Sequence, residues 1–214
     1  GIRQDQDILF GRETFEAALD TAEQIATDLF APHARKSDLN EPQFDGTSVR
    51  LIPEIGEALQ RFANADLMTL HQDHEHGGMQ VPQVVVAACM SWFTAANIAT
   101  IAYAFLSQAN AALLLEHGTS EQVARYVPPM LEGRYFGTMA LSEPHAGSNL
   151  ADIATSAVPQ VDGTYRVFGR KMWISAGDHE MGENILHLVL AKVPGAPAGT
   201  KGISLFLVPK FLVN

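Results

Sequence analysis

From His76 to Leu115 the chain carries no Asp, Glu, Lys or Arg, and Val84 to Leu106 is mostly apolar. A stretch of this kind has to be covered, by protein or by lipid. Its length alone would allow a membrane span. Thr94, Asn97, Thr100, Ser107 and Gln108 interrupt it, however, and no Lys/Arg cluster flanks it. The reading that follows is two uncharged helices buried inside a helical domain, with no membrane span. The rest of the composition agrees, since 47% apolar and 18% charged residues suit a globular chain with a sizeable core.

The surroundings of that stretch are helical too. Phe15, Leu19, Ala22, Ile25, Ala26 and Leu29 recur at helical spacing, and Pro32 is expected to kink or end their helix. A second helix carries Leu51, Ile55, Leu59 and Phe62. A loop from His71 to Pro82 contains Gly77-Gly78, and Pro82 suits a helix start. Thr119-Ser120-Glu121 opens a last helix that stops at Gly133. From Tyr135 the periodicity changes. Asp162-Gly163 marks a hairpin, and Asn184 to Val193 and Ile203 to Val208 read as strands around a Pro/Gly loop. The expected fold is α+β: an all-helical domain over 1–133, then an antiparallel β domain over 134–214. Five or so strands leave that β domain incomplete. Both ends read as cut, because Gly1 is no initiator and Asn214 follows Phe211-Leu212-Val213 without a polar tail. Gly1 to Phe10 shows neither the basic start nor the apolar run of a signal peptide.

Several function classes are disfavoured. A net charge of -10 opposes sequence-independent nucleic-acid binding. Cys89 is the only cysteine, so no internal disulfide forms, which suits a reducing compartment such as the cytoplasm. There is no Gly-x-Ser-x-Gly elbow, P-loop or dinucleotide fingerprint. His71, Asp73, His74, Glu75 and His76 could suggest a metal, but no second ligand set stands at structural spacing, and no metal site is expected. Glu116-His117 and Asp178-His179-Glu180 are acid–base pairs by composition, and the plainer reading is surface turns.

Two segments carry chemistry. Met139 to Asn149, through Leu141-Ser142-Glu143-Pro144-His145-Ala146-Gly147-Ser148, is a strand that breaks into a loop of small residues, able to offer backbone N–H groups to a ligand. Gly169 to Gly177 contains Lys171-Met172-Trp173-Ile174-Ser175. On a strand, Trp173 and Ser175 would share a face, where a flat ring beside a hydroxyl suits a planar heteroaromatic ligand. Together these runs resemble the acyl-CoA dehydrogenase family, whose middle domain carries A-L-T/S-E-P-x-A-G-S-D and then K-x-W-I-S/T-x-G. Gly199-Thr200-Lys201-Gly202-Ile203-Ser204 to Pro209 is a third match, and Gly77-Gly78-Met79 is similar to the family's Y-G-G-x-G loop. The resemblance spans essentially the whole chain. The Pro194 to Thr200 loop most resembles a long-chain subgroup that includes methylthiopropionyl-CoA dehydrogenases.

The resemblance implies roles. Leu141 and Ser142 hold the flavin pyrimidine edge of FAD, Trp173 lies against the isoalloxazine, Ile174 belongs to the same cofactor-binding set, and Ser175 approaches N5. Ser148 lies near the CoA part of the substrate. Asn149 stands where Asp is commoner, and His145, His74 and His76 also depart from the pattern. The implied reaction is α,β-dehydrogenation of an acyl-CoA thioester to the enoyl-CoA. A glutamate takes the α proton, and a hydride passes to flavin N5. That glutamate belongs to a C-terminal helical domain, so no catalytic residue is assigned here. The fragment is expected to be inactive alone and to hold FAD weakly or not at all. An electron-transfer flavoprotein or similar acceptor and homo-oligomer formation are implied for the full-length protein. Two alternatives stay open: a non-catalytic flavin/acyl-CoA-binding or assembly domain, and a flavin oxidase such as acyl-CoA oxidase.

Overall fold

A computed structural model of the protein describes residues 11–213. The polar start and Asn214 lie outside the described residues. Helix α1 (Arg12–Ile25) buries Ala22 and Ile25. Pro32 does not end the run. The helix widens to a π turn over Ala26–Phe30, tightens to a 3₁₀ turn over Ala31–His33, and resumes as α2 (Ala34–Leu39). The change of hydrogen-bond pattern absorbs the missing Pro N–H. Strands β1 (Gln43–Phe44) and β2 (Val49–Arg50) form a small antiparallel ladder. Helix α3 (Pro53–Asn64) starts on proline and turns Ile55, Ala58, Leu59, Phe62 and Ala63 inward. The core is centred on Phe30, Phe62 and Phe93. Phe93 meets both other rings edge-on at 4.9 Å between centroids.

The uncharged stretch forms helix α4 (Gln83–His117), broken at Asn97, where φ is −164° and ψ is 87°. Two helical halves therefore stand where two helices were expected, joined with no loop. The break is stabilised from within. Asn97 Oδ1 accepts the Thr100 N–H (3.1 Å) and so caps the second half, while Asn97 Nδ2 donates to the Phe30 carbonyl (3.3 Å). Beside it, His33 Nε2 and Thr100 Oγ1 are 2.8 Å apart. Burial is confined to one face of α4, through Val86, Cys89, Phe93, Ile101, Ala104, Ala111 and Leu114. Val84 and Ile98 stay exposed, so the helix is less enclosed than its composition suggested. By length and composition it could cross a membrane. Its buried polar side chains, though, are all bonded to other parts of the protein.

Helix α5 (Ser120–Leu131) opens with a reciprocal capping box between Thr119 and Gln122. Gly133 takes φ +72°, and a Cβ there would lie 2.7 Å from that of Ala63. Strand β3 (Tyr135–Ala140) follows at once. The hairpin β4 (Ser156–Pro159) and β5 (Tyr165–Phe168), and then β6 (Asn184–Lys192) and β7 (Ile203–Pro209), complete one sheet. That sheet is mixed, which corrects the antiparallel expectation. The β4–β5 and β6–β7 pairs are antiparallel, but β3 runs parallel to β6, from Tyr135 opposite Asn184 to Ala140 opposite Val189. The long connection from Leu141 to Glu183 permits a parallel return, whereas local hairpin signals report only neighbouring strands. Strand β6 is buried on both faces, as a central strand with a parallel neighbour should be.

The two halves are joined by a polar stripe on α4. Ser107 Oγ accepts the Gly137 N–H (3.0 Å), and Asn110 Nδ2 donates to the carbonyls of Thr138 (3.1 Å) and Leu186 (3.2 Å). A Cβ at Gly137 would sit 2.4 Å from Asn110 Nδ2, so glycine is what lets the helix approach the strand this closely.

Candidate functional site

The loop after β3 is built around Glu143. Its backbone exchanges hydrogen bonds with Ala146 (2.8 and 3.1 Å), folding Pro144 and His145 outward. The side chain turns inward and is 2% exposed. Oε2 accepts the Ala154 N–H (2.7 Å). Oε1 accepts the Thr155 N–H (3.0 Å), the Thr155 hydroxyl (2.5 Å) and the Lys171 ammonium (2.9 Å). Burial pushes the carboxyl upward, but the Thr155, Ala154 and Lys171 donors outweigh it and hold its pKa at about 2. Gly169 makes room for this arrangement, since a Cβ there would meet Thr155 Oγ1 at 2.2 Å.

Lys171 also donates to the Leu141 carbonyl (2.9 Å), and the Met172 N–H donates to the Ser142 carbonyl (3.0 Å). The two motif segments, far apart in sequence, are thus tied side by side. Leu141, Ser142 and the start of the Lys171–Ser175 run come together. Ser148 stands apart on the exposed rim of the loop. Next to it, Asn149 Nδ2 donates to Asp152 Oδ2 (2.6 Å), and His145 Nε2 lies 3.2 Å from the Asp152 carbonyl.

The second segment is not a strand. β5 ends at Phe168, and Trp173 takes φ +58°, which breaks the alternation that was to place Trp173 and Ser175 on one face. A turn follows, closed by the Gly177 N–H on the Ile174 carbonyl (3.0 Å). The Trp173 ring is 74% exposed and Ile174 is half-buried. Among the described residues, Ser142 Oγ, Ser175 Oγ and Trp173 Nε1 make no hydrogen bond. An open indole face and two uncommitted hydroxyls beside a rigid loop fit a planar heteroaromatic group with polar edges.

Three residues to which the sequence reading assigned no role at the site prove central. Lys171 and Thr155 fix Glu143, and the signal available was an acid followed by a lysine in the next motif. His179 was read as a surface-turn residue, but it is 2% exposed, with its ring packed edge-on to Tyr103 and Phe136. Burial, then the Lys210 ammonium, lower its pKa to about 4, against the opposing pull of Asp178. Its flanking Asp178 and Glu180 disguise it as a polar turn. Glu116 and His117 are exposed at the end of α4. In the His71–Gly78 loop, His74 Nδ1 is engaged with the Gly78 carbonyl (2.9 Å), and among the described residues no three metal-binding side chains converge.

Comparison with known proteins adds the following. Residues 12–134 match the model of the acyl-CoA dehydrogenase N-terminal domain, and residues 138–213 that of the middle domain. A 3-methylmercaptopropionyl-CoA dehydrogenase of Ruegeria pomeroyi is 37% identical over 92% of this chain and 34% of its own length. A butyryl-CoA dehydrogenase of Syntrophomonas wolfei is 34% identical over 96% of this chain and 34% of its own. The chain thus spans about a third of the length of these relatives. An acyl-CoA dehydrogenase from Bacillus anthracis, solved in complex with FAD, superposes with a TM-score of 0.72 at 22% identity. That match covers 94% of this chain and 31% of the other. At that identity the likeness speaks for the fold.

Proposed function

The chain belongs to the acyl-CoA dehydrogenase family, and from that premise we propose that it forms the flavin-facing and acyl-CoA-facing part of an FAD-dependent acyl-CoA dehydrogenase. The observation that carries this reading is the tie between the two motif segments through Glu143, Lys171 and the Met172–Ser142 bond. The tie presents Leu141, Ser142, Trp173, Ile174 and Ser175 on neighbouring stretches of one rigid frame. In this reading Leu141 and Ser142 meet the polar edge of the flavin, Trp173 covers its ring, and Ser175 hydrogen-bonds its central portion. Ser148 lies toward the CoA part of the thioester. Bound flavin supplies the hydride acceptor, which no amino-acid side chain provides.

Glu143 is not the base. Its oxygens are filled by four donors, and with a pKa of about 2 it has little proton affinity at neutral pH. The proton acceptor therefore belongs, in this proposal, to the portion of the relatives' length that this chain does not span. The reading also includes a division into a helical unit to Gly133 and a β unit from Arg134, and no membrane span. It places the full-length protein in the cytoplasm as a homo-oligomer, passing electrons to an electron-transfer flavoprotein or a similar acceptor.

Titration of the purified chain with FAD, followed by flavin absorbance and Trp173 quenching, tests the cofactor site. Weak binding is expected, about fivefold weaker again in Trp173→Ala, from loss of an aromatic contact worth about 1 kcal/mol. An unchanged affinity in Trp173→Ala would remove that residue from the site. The same sample is expected not to reduce an artificial acceptor on addition of acyl-CoA. Stoichiometric flavin with sustained acyl-CoA-dependent reduction would place a base within this chain and overturn the assignment.

A further inference from the structure

The segment from Trp173 to Asp178 is suspended between two anchors. At its start, Lys171 and Met172 are bonded to Leu141 and Ser142. Between the anchors lie a left-handed Trp173, with φ +58°, and the tight Ile174–Gly177 turn. At its end stands His179, fully inside the seam between α4 and β3. The His179 ring meets Tyr103 at 5.4 Å and Phe136 at 4.7 Å between centroids, both edge-on.

A phenyl ring would serve those two contacts equally well. What the imidazole adds is Nδ1, which accepts the Met181 N–H (3.3 Å). That bond places the proton on Nε2, a buried donor with no partner among the described residues. A polar ring kept in an apolar seam at the cost of an unsatisfied donor has to be explained by more than shape.

We propose that His179 is a positioning residue for the flavin-facing segment: its ring, wedged between Tyr103 and Phe136, and its Nδ1 bond to Met181 set where Trp173 and Ser175 stand. The proposal rests on the flavin reading for its consequence, but not for its geometry. The neutral ring is what performs this role, and its surroundings keep it neutral. Burial and the ammonium of Lys210 disfavour the charge, as does His187 on β6, and only Asp178 favours it. Asp178 is itself engaged by Lys210 at 2.5 Å. The phenol of Tyr103, held above its ordinary pKa by burial, stays neutral throughout the physiological range.

The experiment uses the chain with Trp92→Phe, which leaves Trp173 as the sole tryptophan. Amide hydrogen exchange and acrylamide quenching of Trp173 are compared among His179, His179→Phe and His179→Asn, alongside an FAD titration. In His179→Phe, exchange at the Gly177 amide, the hydrogen-bonded N–H of this segment, should rise at least tenfold and Trp173 quenching should change, while the β6 amides keep their protection. His179→Asn, whose carbonyl can replace the Nδ1 acceptor, should recover part of the protection. Lowering the pH toward 4 should loosen 173–178 in the parent but not in His179→Phe. Unaltered exchange in His179→Phe would show that ring shape suffices and overturn the proposal. Loss of β6 protection in both variants would show a general packing role and overturn it equally. If exchange responds as expected while no sample binds FAD, His179 positions the segment and the flavin reading is what fails.

Discussion

Replacing Glu143 by Gln is the sharpest test of the site's construction. The substitution keeps shape and removes charge, and it points an amide NH₂ at donors that need acceptors. The carboxyl is 2% exposed, and its pKa falls from 4.5 to about 2 on folding. At 1.36 kcal/mol per unit, that shift corresponds to about 3 kcal/mol of stability at neutral pH. Breaking a buried, hydrogen-bonded ion pair costs a similar amount, ~3–5 kcal/mol. Urea unfolding at pH 7 should therefore show Glu143→Gln destabilised by about 3 kcal/mol. Lys171→Met should also be destabilised, and the double variant should lose less than the two singles together, by ~1–3 kcal/mol. The folded pKa is depressed, so the contribution is present above about 4.5 and disappears as pH falls through about 2. The gap between parent and variant should narrow over that acid range. A cost below about 1 kcal/mol, or strict additivity with Lys171→Met, would refute the claim that this pair organises the site.

Other expectations are open to the same methods. Asn97→Ala should lose about 1 kcal/mol for the internal cap, plus a smaller amount for the Phe30 carbonyl, read from the urea midpoint. Asn97→Asp, which keeps the acceptor, should recover the capping part. Gly137→Ala should cost ~1–3 kcal/mol by driving a methyl into Asn110, and Asn110→Ala in the same chain should relieve part of that loss. His179 is neutral when folded and has its folded pKa lowered from 6.5 to about 4, so stability is complete above 6.5 and is lost as pH falls toward 4. That loss amounts to about 3 kcal/mol, and thermal unfolding of His179→Phe across the window should lack it.

The order of elements was legible because it depends on local signals. The spacing of Ile55, Leu59 and Phe62, the Thr119 cap and the Asp162-Gly163 turn each act over a few residues, and the structure uses each of them as read. The errors share one cause. Parallel pairing of β3 with β6 and the one-sided burial of α4 are decided by partners distant in sequence. Pro32 was expected to kink or end its helix; the α-helical pattern does give way there, to a π and a 3₁₀ turn, but the chain resumes as α2 rather than leaving the helix. Propensity describes a tendency of the isolated segment, and a core that includes Phe30 on the same turn supplies enough packing to override it.

The site divides along the same line. The motif residues could be found because their types and spacing are distinctive, yet their expected geometry failed at Trp173, where a left-handed residue replaced an alternating strand. The residues that hold the frame drew little notice in the sequence, for a physical reason. Glu143, Lys171 and His179 are charged or polar types that composition assigns to the surface, and only a folded neighbourhood can make them interior. Burying an acid is tolerable where donors fill its oxygens, and the donors here come from two separate stretches: Ala154 and Thr155 just before β4, and Lys171 after β5. One acid thus fixes the relative position of three loops for which no regular ladder is available. A planar ligand needs that kind of support, because its contacts arise from separate loops and lose value if those loops move independently. Glu143 and Lys171 therefore shape the ligand face without having to touch the ligand. Glu143→Gln should accordingly weaken FAD binding by roughly the same factor as it weakens Trp173 protection, a proportionality that a residue in direct ligand contact would not produce.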